Sequence, residues 1–283
     1  MNRYRTYLFV PADRPDRIPK ALASGADSVV LDLEDAVQVA RKEVARAIAV
    51  EAVRDAEQRN CGLGVRINAM NTPFAEADLA ALAPVLPHLN FLILPMVSTA
   101  QNIRDCRSFL EAAFSEVPLI PLIETARGVL NAYEIASETQ VFTLAFGPAD
   151  LSRELGVEPS AEGEELFTAR SQIVLACAAA EIRAPIDGPY LNLNDDEGMR
   201  IAARKAKELG FGGKQVIHPR QIPPVAETFA PTTQELEWAR KVDVVFREAE
   251  ARGVSSIRLA DGTFVDYPIA QRARRILEEY QSH

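Results

Sequence analysis

Cysteine is scarce in this chain of 283 residues: Cys61, Cys106 and Cys177 lie far apart, with no CxxC pair and no histidine cluster beside them. An odd, scattered set builds neither a disulfide framework nor a zinc site, so a reducing, cytoplasmic setting is expected. Positive charge is also short. The formal net charge is −9 and the Lys and Arg residues are dispersed, whereas a phosphate backbone demands a basic patch, so no nucleic-acid partner is expected. No window approaches the roughly 18 consecutive apolar residues of a spanning helix. The opening MNRYRTYLFVPADRP runs into a strand-like segment without the apolar stretch of a signal peptide, so a soluble protein with no membrane partner is expected. Repeats, low-complexity tracts and flexible linkers are missing too. So is the GxGxxG that an open doubly wound sheet normally carries after its first strand.

What is there is a composition of 48% hydrophobic and 25% charged residues, that of an ordinary globular protein with a sizeable core. TYLFVPA, SVVLDLE, LGVRIN, FLILPM, VPLIPLIE, VFTLAFG, IRAPIDG and GGKQVIH are short apolar runs bounded by Gly, Pro, Asn or Asp, and each reads as a strand. Between them, DAVQVARKEVARAIAVEAVRDAEQ, STAQNIRDCRSFLEAAF, TARGVLNAYEIAS and DDEGMRIAARKAKELG repeat their apolar residues at three and four, the helical period. Eight alternating units predict an α/β fold, a (β/α)8 TIM barrel over residues 1–220. From about Gln221 the pattern changes to a long helix, a hairpin-like element around Asp261 and Gly262, and a closing helix. This C-terminal helical and hairpin extension, residues 221–283, is expected to be a lid or an oligomer contact.

In such a barrel the chemistry gathers at the carboxyl ends of the strands. Those ends carry Asp13 and Arg14, Asp32 and Glu34, Arg66 and Asn68, Glu124, Asp150, Asp187 and His218. Asp32 and Glu34 are two apart and share a face opposite Leu31 and Leu33, and Arg66 and Asn68 share a face for the same reason. Acids cannot be crowded there without positive charge, and a hard divalent cation with oxygen ligands supplies it. Mg²⁺ takes one or two carboxylates plus waters and substrate oxygens, which makes Glu124 and Asp150 the candidate ligand pair. A helix cap or an ion pair is the ordinary alternative for any single acid, and Asp150 could cap the helix that follows it. Arg66 has two readings, a cross-strand partner for Asp32 or Glu34, or a planar fork for a substrate carboxylate or thioester oxygen. Arg14, Arg66, Asn68 and Glu124 are the candidate substrate-binding residues. His218, locked before Pro219, could be a general base or a loop tie.

The segments LFVPADRPDRIPKALASGADSVVLDLEDAV, VRIN, PLIETARGVLNA, LAFGPADLSRELG, PIDG, LGFGGKQVIHP and DGTFVDYP keep one order and spacing from about residue 5 to 275. Together they resemble the citrate lyase beta-subunit-like branch of the HpcH/HpaI aldolase superfamily; IETARG with FGxxD is the specific signal. The resemblance implies a (β/α)8 barrel, homotrimeric or hexameric, that makes or breaks a carbon–carbon bond beside a coenzyme A or acyl-carrier thioester with Mg²⁺. It also implies Glu124 and Asp150 as metal ligands, Asp32 and Glu34 holding metal-bound waters, and Arg66 at the acid end of the substrate. Glu34 and Arg66 are counted with Asp266 as the catalytic candidates. In relatives acting on malyl-type thioesters an acid corresponding to Asp266 transfers a proton, sometimes in a neighbour's site; an exposed acid in a hairpin is otherwise simply solvated.

Two departures stand out from the resemblance. The fourth strand reads ILPMVST, placing Met96 and Ser98 where the family usually has Lys and Glu, and the loop DGPYLNLNDDEG has Asn192 and Asn194 in place of charge. The expected activity is cleavage, or Claisen-type formation, of a 3-hydroxyacyl-CoA thioester such as citramalyl-CoA or malyl-CoA. The alternatives are a citrate lyase beta subunit acting on a carrier-bound citryl group, an aldolase on free 2-oxo acids, and a non-catalytic barrel that binds a CoA ester as a signal.

Overall fold

The computed structural model describes residues 4–56, 60–112, 116–160, 163–259 and 261–281. Two compact units divide the chain, one of residues 4–229 and one formed mainly by residues 230–283. The first is the expected parallel barrel. Its strands are β1 (Thr6–Pro11), β2 (Ser28–Asp32), β3 (Gly62–Arg66), β4 (Phe91–Leu94), β5 (Leu119–Ile123), β6 (Ala145–Phe146), β7 (Ile186–Asp187) and β8 (Gly213–Val216). They pair in sequence order, and β8 closes the sheet on β1.

Helices follow the strands: α1 (Ile18–Leu22), α2 (Lys42–Asp55), α3 (Ala75–Leu82), α4 (Ala100–Ala112), α5 (Ala126–Leu130), α6 (Ala132–Ala136), α7 (Pro148–Leu155), α8 (Phe167–Ala179), α9 (Asp196–Leu209) and α10 (Ile222–Phe229). Two differ from the sequence expectation. The pattern beginning at Asp35 becomes an α-helix only at Lys42, after a 3-10 turn over Val39–Arg41, because Asp32 accepts the N–H groups of Glu34 and Ala36 and holds a turn there. TARGVLNAYEIAS forms two short helices rather than one, parted at Asn131, whose side chain donates to Ser98 O at 2.9 Å.

Two apolar layers follow from the strand period of two. Val29, Leu31, Leu119 and Ile123 pack with residues of the surrounding helices. Their neighbours Val30, Ile120 and Leu122 join Tyr4, Tyr7, Phe91, Ile93, Ala145 and Ile186 in a second cluster that fills the barrel. Glycine makes room for it. A Cβ on Gly62 would lie 2.4 Å from the Tyr4 ring and one on Gly64 2.1 Å from Phe91, so only bare backbone lets these rings occupy the interior.

The second unit is α11 (Thr233–Glu250), a hairpin of β9 (Ser256–Arg258) and β10 (Phe264–Asp266), and α12 (Tyr267–Gln281). A capping box between Thr232 and Glu235 starts α11. Val242, Phe246, Leu259, Val265, Ala270 and Ala273 form its core. Asp243 accepts from Arg247 one turn along α11 at 2.9 Å and from Arg274 of α12 at 3.0 Å, and the second contact joins the two helices.

Candidate active site

The same alternation that fills the barrel carries polar groups to its carboxyl end. Along β5 the interior face reads Ile120, Leu122 and then Glu124; along β2 it reads Val30, then Asp32 and Glu34; along β3, Gly62, Gly64 and Arg66. The register pairs Asp32 directly with Arg66.

Arg66 is the centre of the charge network. Its Nε and Nη2 donate to the two oxygens of Asp32 at 2.7 and 2.6 Å, Glu34 Oε2 lies 2.9 Å from its Nη1, and its guanidinium lies over the Phe9 ring at 5.2 Å. Burial opposes its charge, but Asp32 first and then Glu34 and Asp35 raise its pKa above the ordinary arginine value. The Glu34 contact is an ion pair without hydrogen-bond alignment, so Oε2 is buried with no hydrogen-bond partner. Burial, against the pull of Arg66, pushes the Glu34 pKa up to about 7.

Glu124 is 4% exposed and takes one protein hydrogen bond, from the backbone N–H of Met96 to Oε1 at 2.7 Å. Its Oε2 lies against Gly147, where an added Cβ would come within 2.5 Å. Burial raises its pKa to about 8; the Met96 N–H works against this, while the charges of Glu34 and Asp150 add to it. Asp150 stands in the first turn of α7, with Oδ1 held by Arg153 at 2.6 Å. It does not cap that helix by a side-chain hydrogen bond.

The structure therefore brings Asp32, Glu34, Arg66, Glu124 and Asp150 together. Asn68 is drawn into a brace, its Nδ2 donating to Leu33 O at 3.0 Å and Asp78 Oδ2 at 2.6 Å. Arg14 is half-buried and pairs with Asp16 at 3.1 Å. His218 caps a short turn, its Nδ1 accepting from Arg220 N at 3.1 Å. Asp266 belongs to the second unit, where its Oδ1 accepts from Ile269 N at 3.3 Å at the start of α12.

Sequence reasoning missed a buried ion cluster between the strands and α8, on the face of the sheet opposite Ile186. Asp187 meets Lys214 and also Arg170 Nε at 3.1 Å. Burial opposes the charge of Asp187, yet the two cations hold its pKa below the ordinary carboxylate value. A lysine inside the apolar strand GGKQVIH was the available signal, since a buried ammonium requires a partner.

Among the described residues, no three His, Cys, Asp or Glu side chains form a ready-made cage for a metal. The donors present still fit a hard cation that keeps waters and substrate oxygens. They are all carboxylate oxygens, Glu34 Oε2 has no hydrogen-bond partner, and Glu124 is buried with a single neutral donor. Grooves of ≈ 230 and ≈ 380 Å³ lie between outer helices, away from these acids. A smaller one of ≈ 190 Å³ adjoins them through Met96.

A closed parallel barrel with acids and one arginine massed at its carboxyl ends defines a barrel-enzyme site. The HpcH/HpaI aldolase/citrate lyase family matches residues 5–219, and the chain belongs to that family. Citrate lyase subunit beta of Leuconostoc mesenteroides subsp. cremoris is 36% identical over 282 residues, spanning 97% of this chain and 92% of that protein. Mitochondrial citramalyl-CoA lyase of Rattus norvegicus is 32% identical over 290 residues, spanning 96% of this chain and 85% of its own. Among solved structures, protein CitE from Mycobacterium tuberculosis in complex with magnesium, acetoacetate and coenzyme A superposes with a TM-score of 0.81. It is 33% identical, and the match covers 99% of this chain and 98% of that one.

Proposed function

We propose that this chain is a Mg²⁺-dependent carbon–carbon lyase that cleaves, or forms by Claisen-type condensation, a 3-hydroxyacyl-CoA thioester of the citramalyl-CoA or malyl-CoA type. The products of cleavage are acetyl-CoA and a 2-oxo acid. The observation that carries this reading is Glu124, a buried carboxylate with a pKa pushed to about 8 and one protein donor, set beside Glu34, Asp150 and Arg66. Relatives that include a citrate lyase beta subunit and a citramalyl-CoA lyase, and a neighbour solved with magnesium and coenzyme A, support it.

Glu124 and Asp150 would hold the cation, with Asp32 and Glu34 orienting its waters. When bound, Mg²⁺ supplies Lewis-acid polarisation of the oxygen at the reacting carbon. The chain's own groups account for the rest. Asp32 and Glu34 keep Arg66 charged and oriented, and the N–H groups that they leave free receive the acid end of the oxo-acid fragment. Glu34, with a pKa of about 7, is tuned to accept the proton from the hydroxyl at C3. That oxygen becomes the carbonyl of the 2-oxo acid as the C2–C3 bond breaks, and the electron pair passes to the acetyl-CoA enolate. Asp266 returns a proton to the enolate carbon, from its own chain or a neighbour's. Arg14 is kept as a candidate substrate contact. A homotrimer or hexamer is the assembly that this reading expects, and the C-terminal extension, residues 221–283, is its lid or subunit contact.

A panel of 3-hydroxyacyl-CoA esters, assayed with and without Mg²⁺, tests the reading. Release of acetyl-CoA and a 2-oxo acid from at least one ester, lost on chelation, is the expected result. Turnover of free hydroxy acids without coenzyme A would place the chain with aldolases acting on free 2-oxo acids instead.

A further inference from the structure

Glu124 and Asp150 follow different strands, and the turn at residues 146–148, between β6 and α7, is what sets one beside the other. Gly147 opens α7 without any side-chain cap, so the turn owes its place to other contacts. Its N–H donates to Ile123 O at 3.0 Å, one residue before Glu124, and a Cβ on it would come within 2.5 Å of Glu124 Oε2. Bare backbone here forms one wall of the Glu124 carboxylate, and Asp150 follows in the first turn of α7.

The turn is gripped from several sides. Gln215 of β8 reaches furthest, its Nε2 donating to Phe146 O at 2.9 Å from 69 residues away and across the intervening β7. It is 5% exposed and pairs in register with Tyr7 of the cluster that fills the barrel, so the amide comes from the interior. On the helix side the Arg170 guanidinium lies over the Phe146 ring at 4.9 Å. At the end of β7, a Cβ on Gly188 would meet Pro148 Cδ at 2.1 Å and Phe146 O at 3.0 Å, so this strand closes directly onto the turn. A buried carbonyl requires a donor. An amide supplies one without adding charge to a rim already crowded with it.

We propose that Gln215 is a positioning residue for the metal pair: by holding Phe146 O it seats Gly147 against Glu124 and starts α7 where Asp150 can share the cation. The proposal rests on the assignment of Glu124 and Asp150 to Mg²⁺ in the lyase reading above. Gln215 acts through the turn, not by contact with the cation or the substrate.

The test is calorimetric titration of the full-length protein with Mg²⁺, beside thermal unfolding of the metal-free protein. Gln215→Met keeps the length of the side chain and removes the donor. It should weaken Mg²⁺ binding about tenfold, the scale for losing a partner that orients a metal ligand. A lost buried hydrogen bond also lowers the melting temperature, so Thr143→Val serves as the control. The Thr143 hydroxyl donates to Arg183 O at 3.0 Å and Ala184 O at 2.9 Å, just before β6 and at the opposite end of the strand from the turn. Thr143→Val should lower the melting temperature while Mg²⁺ affinity moves by less than about twofold, since it touches no group that orients the ligands. Gln215→Asn, one methylene short of Phe146 O, is the second variant should Gln215→Met not fold, and should weaken Mg²⁺ binding at least about threefold. Unchanged Mg²⁺ affinity in the Gln215 variants, an equal loss in Thr143→Val, or failure of both Gln215 variants to fold would overturn the positioning role and leave the lyase reading standing. Absence of Mg²⁺ binding in the unsubstituted protein would bring down the metal assignment and the proposal with it.

Discussion

Met96 donates its backbone N–H to Oε1 of Glu124 at 2.7 Å from a left-handed conformation with φ of 56°. A non-glycine residue in that region is strained by roughly 1–3 kcal/mol and persists only where its surroundings demand it. Here the demand is that the end of β4 turn a donor onto a buried carboxylate of β5.

Met96→Gly should therefore leave stability within about 1 kcal/mol, because glycine adopts positive φ without penalty while it gains freedom in the unfolded chain. Met96→Val should cost about 1–3 kcal/mol and weaken Mg²⁺ binding, since a β-branched side chain resists this region. Thermal unfolding and a Mg²⁺ titration read both. Equal stability of the two variants would show that the strain is not held at this residue.

Arg66→Lys keeps the charge but cannot reproduce the two-pronged contact with Asp32 and the third contact with Glu34. Turnover efficiency should fall at least about tenfold. A lower melting temperature with unchanged kinetics would assign Arg66 to packing alone.

The raised pKa values of Glu34, about 7, and Glu124, about 8, against an ordinary 4.5, have a definite sign. The folded protein holds protons that the unfolded chain has already released. The contribution of these two carboxyls to stability is fully present below about pH 4.5 and is lost as the pH rises through 7 and 8. Metal-free protein should melt at lower temperature at pH 9 than at pH 6, and Glu124→Gln should flatten the slope. Mg²⁺ affinity should climb with pH to about 8 and then level, because the cation needs the carboxylate without its proton. A flat melting profile in metal-free protein would contradict the burial of these two acids.

Asp266→Asn should leave Mg²⁺ and CoA-ester binding within about threefold while turnover falls by about 10²-fold or more, the range for losing a proton-transfer group. Mixing inactive Glu124→Gln and inactive Asp266→Asn chains separates two geometries. Recovered activity means that the acid is donated to a neighbour's site; none, despite demonstrated subunit exchange, means that it serves its own barrel. Full activity of the Asp266→Asn protein would remove this residue from the mechanism.

Much of the barrel and its rim was legible along the chain, because strand alternation is a property of adjacent residues. Once Ile120 and Leu122 face inward, Glu124 must follow them, and Asp32 and Glu34 must share one side while Leu31 and Leu33 take the other. Eight such runs separated by helical periods have one economical closure, and the sheet adopts it.

Other features depended on groups that meet only after the chain has closed. Which acid Arg66 grips is set by the β2–β3 register, which aligns it with Asp32 and leaves Glu34 Oε2 ion-paired to Arg66 but without a hydrogen bond. Asn68, read as a substrate contact, faces Leu33 and Asp78, whose approach no local pattern announces. The left-handed turn at Met96 is unmarked because methionine has no preference for it; Glu124, 28 residues on, accepts the N–H that the turn presents. Lys214 and Asp187 come from separate strands, and their charges are tolerable in the buried layer beneath α8 only because the fold sets each beside the other. Local alternation is encoded in neighbours, whereas partners for buried charge and reasons for backbone strain arrive from distant segments.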